Sequence, residues 1–104
     1  MERVGFTMRL LPEQEAEYRR RHAAVWPEML EALRAAGARD YSIFLSGTDL
    51  FAYLVVDDFV AFRAAMAATE VNDRWQAEMA ALIDPLTDPE TGFHRRLDEN
   101  FHLE

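Results

Sequence analysis

The chain has 104 residues, of which 50% are apolar and 12% aromatic, so we expect one folded domain spanning residues 1–104. A net charge of −8 argues against a nucleic-acid partner, and the absence of cysteine excludes disulfides, thiolate nucleophiles and cysteine zinc sites. The sequence has no apolar run of about twenty residues and no secretory signal pattern at its N-terminus, so we expect a cytoplasmic protein with no membrane partner.

The first segment predicts a strand followed by a helix. Apolar residues occupy every second position from Val4 to Leu10, which is typical of a strand with one buried face. Pro12 suits the first turn of a helix, and the acidic Glu13 and Glu15 favour the positive end of the helix dipole. We therefore predict a helix from Pro12 to about His22.

This helix is expected to break before Pro27. A proline disfavours helical backbone at the residue before it, which here is Trp26. A second helical segment is predicted from Pro27 to Ala36, because Pro27 fits a first turn and Gly37 is placed as a C-terminal cap.

Two strands joined by a tight turn come next. Tyr41, Ile43 and Leu45 alternate in the first strand, and residues 46–49 have the composition of a hairpin turn. The second strand, from Leu50 to Val56, is apolar at nearly every position. Such a strand is expected to be covered on both faces.

The C-terminal half predicts another broken helix and a last strand. The first helix begins after Asp57 or Asp58, either of which can cap it. The apolar residues that share a face are Phe59, Phe62 and Met66 in this helix and Val71, Trp75, Met79 and Leu82 in the next. A loop is predicted over 84–89, and alternation at residues 97, 99, 101 and 103 predicts the final strand.

The order of these elements is typical of a ferredoxin-like α+β domain of βαββαβ plan. That plan places a four-stranded antiparallel sheet beneath helices packed on one face. The strand from Leu50 to Val56 then offers apolar side chains to the opposite face, and an exposed apolar patch of this kind marks a partner surface. We therefore predict a homodimer in which two such sheets face each other.

The strongest candidate for chemistry is the pair Tyr18 and His22. Their spacing of four places a phenol and an imidazole on the same face of the helix. A histidine titrates near neutrality and can therefore lend and take a proton. The alternative is a structural histidine bonded to Tyr18 or to a glutamate.

The two tryptophans, Trp26 and Trp75, are the next candidates, because a broad indole face can cover the C–H side of a sugar ring. Core packing is the alternative for both, and for Tyr41 the sequence alone favours packing. The three histidines show no metal-ligand spacing, which argues against a metal site.

Four stretches of the chain resemble the L-rhamnose mutarotases of bacterial rhamnose catabolism. They are YRRRHAAVWPEML, GARDYSIFL, TEVNDRWQAEM and the closing ENFHL, and the resemblance covers essentially the whole chain. The resemblance implies a dimeric α/β-barrel isomerase that interconverts the α and β anomers of L-rhamnose without a metal or organic cofactor.

Carried over by position, the resemblance implies that His22 is the acid/base histidine and that Tyr18 and Tyr41 bind the sugar. Trp75 matches the first of two adjacent substrate-contacting positions, and Gln76 stands at the second, where some members carry another tryptophan. On this hypothesis His22 donates a proton to the ring oxygen on opening and recovers it on closing, while Tyr18 orients the hydroxyls.

Two other functions remain open from the sequence, because fold alone does not decide function. Cofactor-free oxygenases and haem-degrading enzymes also use ferredoxin-like dimers with aromatic pockets and a histidine. A non-catalytic ligand-sensing module is the other alternative.

Overall fold

The described residues, 1–84 and 94–104 of a computed structural model, form an antiparallel sheet with helices packed on one face. In chain order the elements are β1 (Glu2–Leu10), α1 (Glu15–His22), α2 (Pro27–Ala35), β2 (Arg39–Ser46), β3 (Asp49–Val56), α3 (Phe59–Ala67), α4 (Glu70–Met79), β4 (Ile83–Asp84) and β5 (Arg95–Leu97). The loop predicted over 84–89 lies outside the described residues except for Asp84, which belongs to β4.

The sheet has the strand order β2-β3-β1-β4, with β5 also paired to β1. Each of these pairings is antiparallel, and β1 lies at the centre of the sheet between β3 and the β4/β5 position. This is the order of a ferredoxin-like domain, so the predicted fold class is confirmed.

The fourth position of the sheet is filled by two short strands rather than one long strand. Ile83 in β4 pairs with Leu10, and Arg95 in β5 pairs with Thr7 on the same edge of β1. The sequence did not predict β4, because two residues are too few to show an alternating pattern. The predicted final strand is wrong beyond Leu97, since the rest of the tail joins no ladder.

The start of α1 also differs from the prediction. Glu13 has a φ of 70°, in the left-handed region that a right-handed helix cannot include, so Pro12 and Glu13 form a turn. The helix begins at Glu15. The predicted break before Pro27 is confirmed, because Trp26 is extended, with a ψ of 133°, and Pro27 opens α2.

Capping residues mark the other helix boundaries. Gly37, with a φ of 98°, follows α2 in a conformation that suits glycine, as predicted. Asp58 caps α3 by accepting a hydrogen bond from the backbone N–H of Ala61, and Thr69 caps α4 in the same way. Leu82 is buried but lies in the turn after α4, so its predicted place on that helix is wrong.

The two faces of the sheet differ in their cover. The inner face of β1 and β3 is buried beneath the helices; its residues are Val4, Phe6, Met8, Leu10, Leu50, Ala52, Leu54 and Val56. On the outer face Phe44 is 61% exposed and Phe51 is 41% exposed. The prediction that β3 is covered on both faces therefore holds for the inner face and for Val55, which is 7% exposed on the outer face, but not for Phe51.

No helix in the part of the chain described here combines the length and the apolar character needed to cross a lipid bilayer.

Candidate active site

The helix α1 brings Tyr18 and His22 together, as their spacing predicted. Their rings stack with centroids 4.1 Å apart and planes 27° from parallel. Tyr18 is 4% exposed, whereas His22 is only partly buried. The phenol therefore forms the floor on which the imidazole lies.

A backbone hydrogen bond fixes the tautomer of His22. Its Nδ1 lies 3.0 Å from the backbone oxygen of Tyr18, and a carbonyl oxygen can only accept, so Nδ1 carries the proton. Burial lowers the pKa of His22, while this hydrogen bond opposes the shift. At neutral pH the ring is therefore uncharged, with an unprotonated Nε2 available as a base.

The helix α4 supplies an aromatic wall against this imidazole. Trp75 is 6% exposed, and its ring meets His22 edge to face with centroids 5.4 Å apart. Trp26 also packs against Trp75, with centroids 5.1 Å apart and planes 84° apart. Trp75 thus contacts both His22 and Trp26.

A cavity of about 680 Å³ opens between the inner face of the sheet and the helices. Five of the six predicted site residues line it: Tyr18, His22, Tyr41, Trp75 and Gln76. Trp26 lies outside the lining, because its indole packs on Trp75 and beneath the guanidinium of Arg74, 5.7 Å away. A cavity of this size is typical of small-molecule sites.

The two tyrosines contribute protonated hydroxyls to this space. Burial raises the pKa of Tyr41 to about 12, although 38% of the whole residue surface is exposed. Burial, and then the nearby Tyr41, raises the pKa of Tyr18 as well. Both hydroxyls therefore remain hydrogen-bond donors throughout the physiological pH range.

Charged residues join α1 to α4 beside the imidazole. Arg21 donates to Glu17 on its own helix at 2.7 Å and to Glu78 on α4 at 2.9 Å. Arg20 also pairs with Glu17, and hydrogen bonds from Arg20 and Arg21 lower the pKa of Glu17 to about 2. Arg21 therefore tethers the helix that carries His22 to the helix that carries Trp75.

Three polar residues that were not predicted to belong to the site also line the cavity: Arg63, Asn72 and His94. His94 stacks on Phe6 with centroids 5.5 Å apart, and burial and then Arg63 lower its pKa. Nothing in the sequence near Arg63 or His94 signals a site. Asn72 precedes Trp75 by three residues and Gln76 by four, so its helix spacing carried a usable signal.

Among residues 1–84 and 94–104, no three histidine, aspartate or glutamate side chains are arranged to hold a metal ion. The groups that the described lining offers for chemistry are the imidazoles of His22 and His94, the guanidinium of Arg63, two phenols, aromatic faces and two amides.

Comparisons of the chain with known proteins all indicate the same family. The family model described as L-rhamnose mutarotase matches residues 3–103. The chain is 44% identical to an L-rhamnose mutarotase of Burkholderia ambifaria, with 100% of each chain covered. It is 49% identical to an L-rhamnose mutarotase of Listeria monocytogenes, covering 80% of this chain and 81% of that one.

The crystal structure of an L-rhamnose mutarotase from Formosa agariphila is similar to this structure, with a TM-score of 0.80 and 30% sequence identity. All of both chains is covered in that comparison. Family model, sequence relatives and solved structure agree, and the chain belongs to the L-rhamnose mutarotase family.

Proposed function

We propose that this protein is an isomerase that interconverts the α and β anomers of L-rhamnose. Membership of the family supports the reaction. The observation that carries the proposal is the neutral His22 imidazole, held by the Tyr18 carbonyl and open to a cavity with aromatic walls. The oxygenase, haem-degrading and ligand-sensing alternatives receive no support from the relatives described above.

The reaction needs one proton moved between two oxygens on the same carbon. In our proposal, Nε2 of His22 takes the proton of the anomeric hydroxyl and delivers a proton to the ring oxygen. As this occurs, the bond between C1 and the ring oxygen breaks, its electron pair passes to that oxygen, and C1 becomes a carbonyl. Rotation about the C1–C2 bond and reversal of these steps close the ring as the other anomer.

In this proposal His22 takes a proton before it donates one, which reverses the order expected from the resemblance. A group with a lowered pKa is neutral at the start, so it acts first as a base and only then as an acid. The proton on Nδ1 remains with the Tyr18 carbonyl and takes no part in the transfer. One imidazole is sufficient because it returns to its starting state when the ring closes.

The remaining residues are proposed to bind the sugar. Tyr18 and Tyr41 keep their protons and donate to sugar oxygens. Trp75 offers an indole beside His22, and such a surface suits the C–H face of a pyranose. Gln76 adds an amide, and Trp26 acts indirectly by packing against Trp75.

The test is anomer exchange of L-rhamnose measured by NMR saturation transfer. We expect His22→Gln to lower kcat by about 10²- to 10⁴-fold, the usual contribution of positioned acid/base catalysis. His102→Gln is the matched control, because His102 lies in the tail and outside the cavity lining. A folded His22→Gln variant with the exchange rate of the unmodified protein would rule out this assignment.

We also propose that the protein is a homodimer formed through the outer face of the sheet. Phe44 and Phe51 lie together there, with ring centroids 6.4 Å apart, and both are exposed. Phe51 packs over Gly5 on this face, since a Cβ at Gly5 would be in ordinary van der Waals contact with the Phe51 ring, at 3.6 Å. Burying such a patch against its own copy is the simplest closed arrangement.

Light scattering after size exclusion tests the dimer. Phe51→Asp is expected to yield monomers, because a charge would be buried at the interface. Val60→Asp is the control, since Val60 is also apolar and 78% exposed but lies on α3. Equal masses for both variants would contradict an interface on this face.

The cytoplasmic location of the protein stays a prediction.

A further inference from the structure

An amide pair on α4 stands in the cavity beside the aromatic wall. Asn72 and Gln76 both line the cavity, and Nε2 of Gln76 donates to Oδ1 of Asn72 at 3.2 Å. The two residues are one helical turn apart, so a hydrogen bond between their side chains is favourable along the helix. This contact favours one orientation of the exposed Gln76 carboxamide.

The backbone of Asn72 is held at the start of α4 by a contact that does not involve the Asn72 side chain. The hydroxyl of Thr69 accepts a hydrogen bond from the backbone N–H of Asn72 at 3.3 Å, which caps α4. The Asn72 side chain is left to face the cavity. Substituting that side chain therefore leaves the helix cap in place.

The pair also lies close to the reacting centre. Trp75 precedes Gln76 directly and follows Asn72 by three residues, and its ring meets His22 at 5.4 Å. Side chains three or four apart on a helix are separated by about 5–6 Å at Cβ. A sugar held against Trp75 and His22 is thus within reach of the amides.

The hydrogen bond between the amides determines what each can still offer. It uses one N–H of Gln76 and the oxygen of Asn72, leaving the Gln76 oxygen as an acceptor and the Asn72 N–H groups as donors. A sugar hydroxyl can donate to that Gln76 oxygen. The tyrosine hydroxyls serve the α1 and β2 side of the cavity, whereas these amides serve the α4 side.

We propose that Asn72 is a specificity-determining residue, which holds the Gln76 carboxamide so that the Gln76 oxygen binds a hydroxyl of the aldopyranose. The inference rests on the proposed mutarotase function and deepens it. Asn72 acts through Gln76 on substrate binding, and the proton transfer at His22 proceeds without it. A site that hydrogen-bonds a hydroxyl discriminates strongly against an analogue that lacks it.

The experiment compares Asn72→Leu, Asn72→Asp, Gln76→Leu and the double variant Asn72→Leu/Gln76→Leu by NMR anomer exchange at pH 8. Asn72→Leu is expected to raise KM about tenfold, the usual scale for losing a substrate hydrogen bond, with kcat within about twofold. Asn72→Asp keeps the oxygen that orients Gln76, so its KM should remain within about threefold of the unmodified protein. The double variant should be no worse than Gln76→Leu, because the two residues act as one unit.

A second readout uses single-deoxy analogues of L-rhamnose. The unmodified protein should discriminate against one of them, and Asn72→Leu and Gln76→Leu should both lose that discrimination. Asp73→Leu, an exposed neighbour on α4 outside the lining, should keep it. Unchanged KM and discrimination in Asn72→Leu, or additive effects in the double variant, would overturn the role of Asn72.

Calorimetric binding of L-rhamnose separates this inference from the proposed function. Binding that weakens in Asn72→Leu, in a protein without anomer exchange, would remove the mutarotase function and keep the amide subsite. Normal anomer exchange in Asn72→Leu would keep the mutarotase function and remove the role of Asn72. An unmodified protein that neither binds L-rhamnose nor exchanges its anomers would overturn both.

Discussion

The two faces of the sheet carry similar aromatic side chains in opposite circumstances. Phe6 on the inner face is 3% exposed and stacks on His94 in the cavity lining, whereas Phe51 on the outer face is 41% exposed. The inner residues find partners within the chain. On the outer face Phe44 and Phe51 contact each other and remain exposed, whereas Val55 is buried.

If the proposed site and dimer are correct, the two faces of this small domain serve two tasks. On the inner face the helices bury the sheet and leave a cavity beside His22. On the outer face apolar area remains exposed, and this is the surface of the proposed homodimer. Stability of the single chain should therefore depend on inner residues, and association should depend on outer ones.

A matched pair of substitutions tests this division with the largest expected effect. Phe6→Ala should lower the free energy of unfolding by about 3–5 kcal/mol, because it leaves a cavity among buried residues. Phe51→Ala should cost about 1 kcal/mol or less in the monomer, because much of its ring already contacts solvent.

The measurement is urea unfolding at protein concentrations low enough to keep both variants monomeric. Chromatography at high concentration should then show that Phe51→Ala weakens association while Phe6→Ala does not. Equal unfolding costs for the two substitutions would show that the faces contribute alike to the single chain.

A smaller effect is expected within α1, where one arginine is exposed and the next contacts another helix. Arg20 is 70% exposed and pairs with Glu17, whereas Arg21 also reaches Glu78 on α4. Arg21→Gln should lower kcat by about tenfold or less, because the imidazole and the indole wall lose a tether between their helices. Arg20→Gln is the control and should leave kcat unchanged in the same exchange assay. Equal kcat values in the two variants would contradict a positioning role for Arg21.

Much of the fold was predictable because it follows from local patterns. Alternation from Val4 to Leu10, the break before Pro27 and the glycine after α2 all report constraints that act within a few residues. The left-handed Glu13 was missed because a glutamate gives no sequence signal for a positive φ. The two-residue strand β4 was missed because it depends on pairing with β1. Alternation in the tail predicted a strand, but a strand forms only where a ladder partner exists.

The candidate site was predictable to a different degree. The pair Tyr18 and His22 follows from helix geometry, and Tyr41 and Gln76 entered through the resemblance to a family. The packing of Trp26 against Trp75 was not predictable, because it depends on the angle between α2 and α4. Arg63 and His94 come from distant parts of the chain, and only the folded structure brings them to one cavity.

The smallest predicted effect concerns the acid limb of the pH profile. Burial lowers the folded-state pKa of His22 below its ordinary 6.5, so more than half of the imidazole is still neutral at pH 6.5. Enzymatic kcat should therefore fall less than about twofold between pH 8 and pH 6.5, and more steeply below that range. The raised pKa values of Tyr18 and Tyr41 predict no loss of kcat on the alkaline side up to about pH 10.

The lowered pKa of His22 also implies that the unfolded chain binds more protons than the folded chain as pH falls below 6.5. This contribution to stability is thus full above 6.5 and is lost as pH falls through the folded pKa. NMR saturation transfer across this pH range, corrected for the spontaneous reaction, measures the fall of kcat at acid pH. A midpoint of this fall above pH 6.5 would show that His22 is charged too readily to act first as a base.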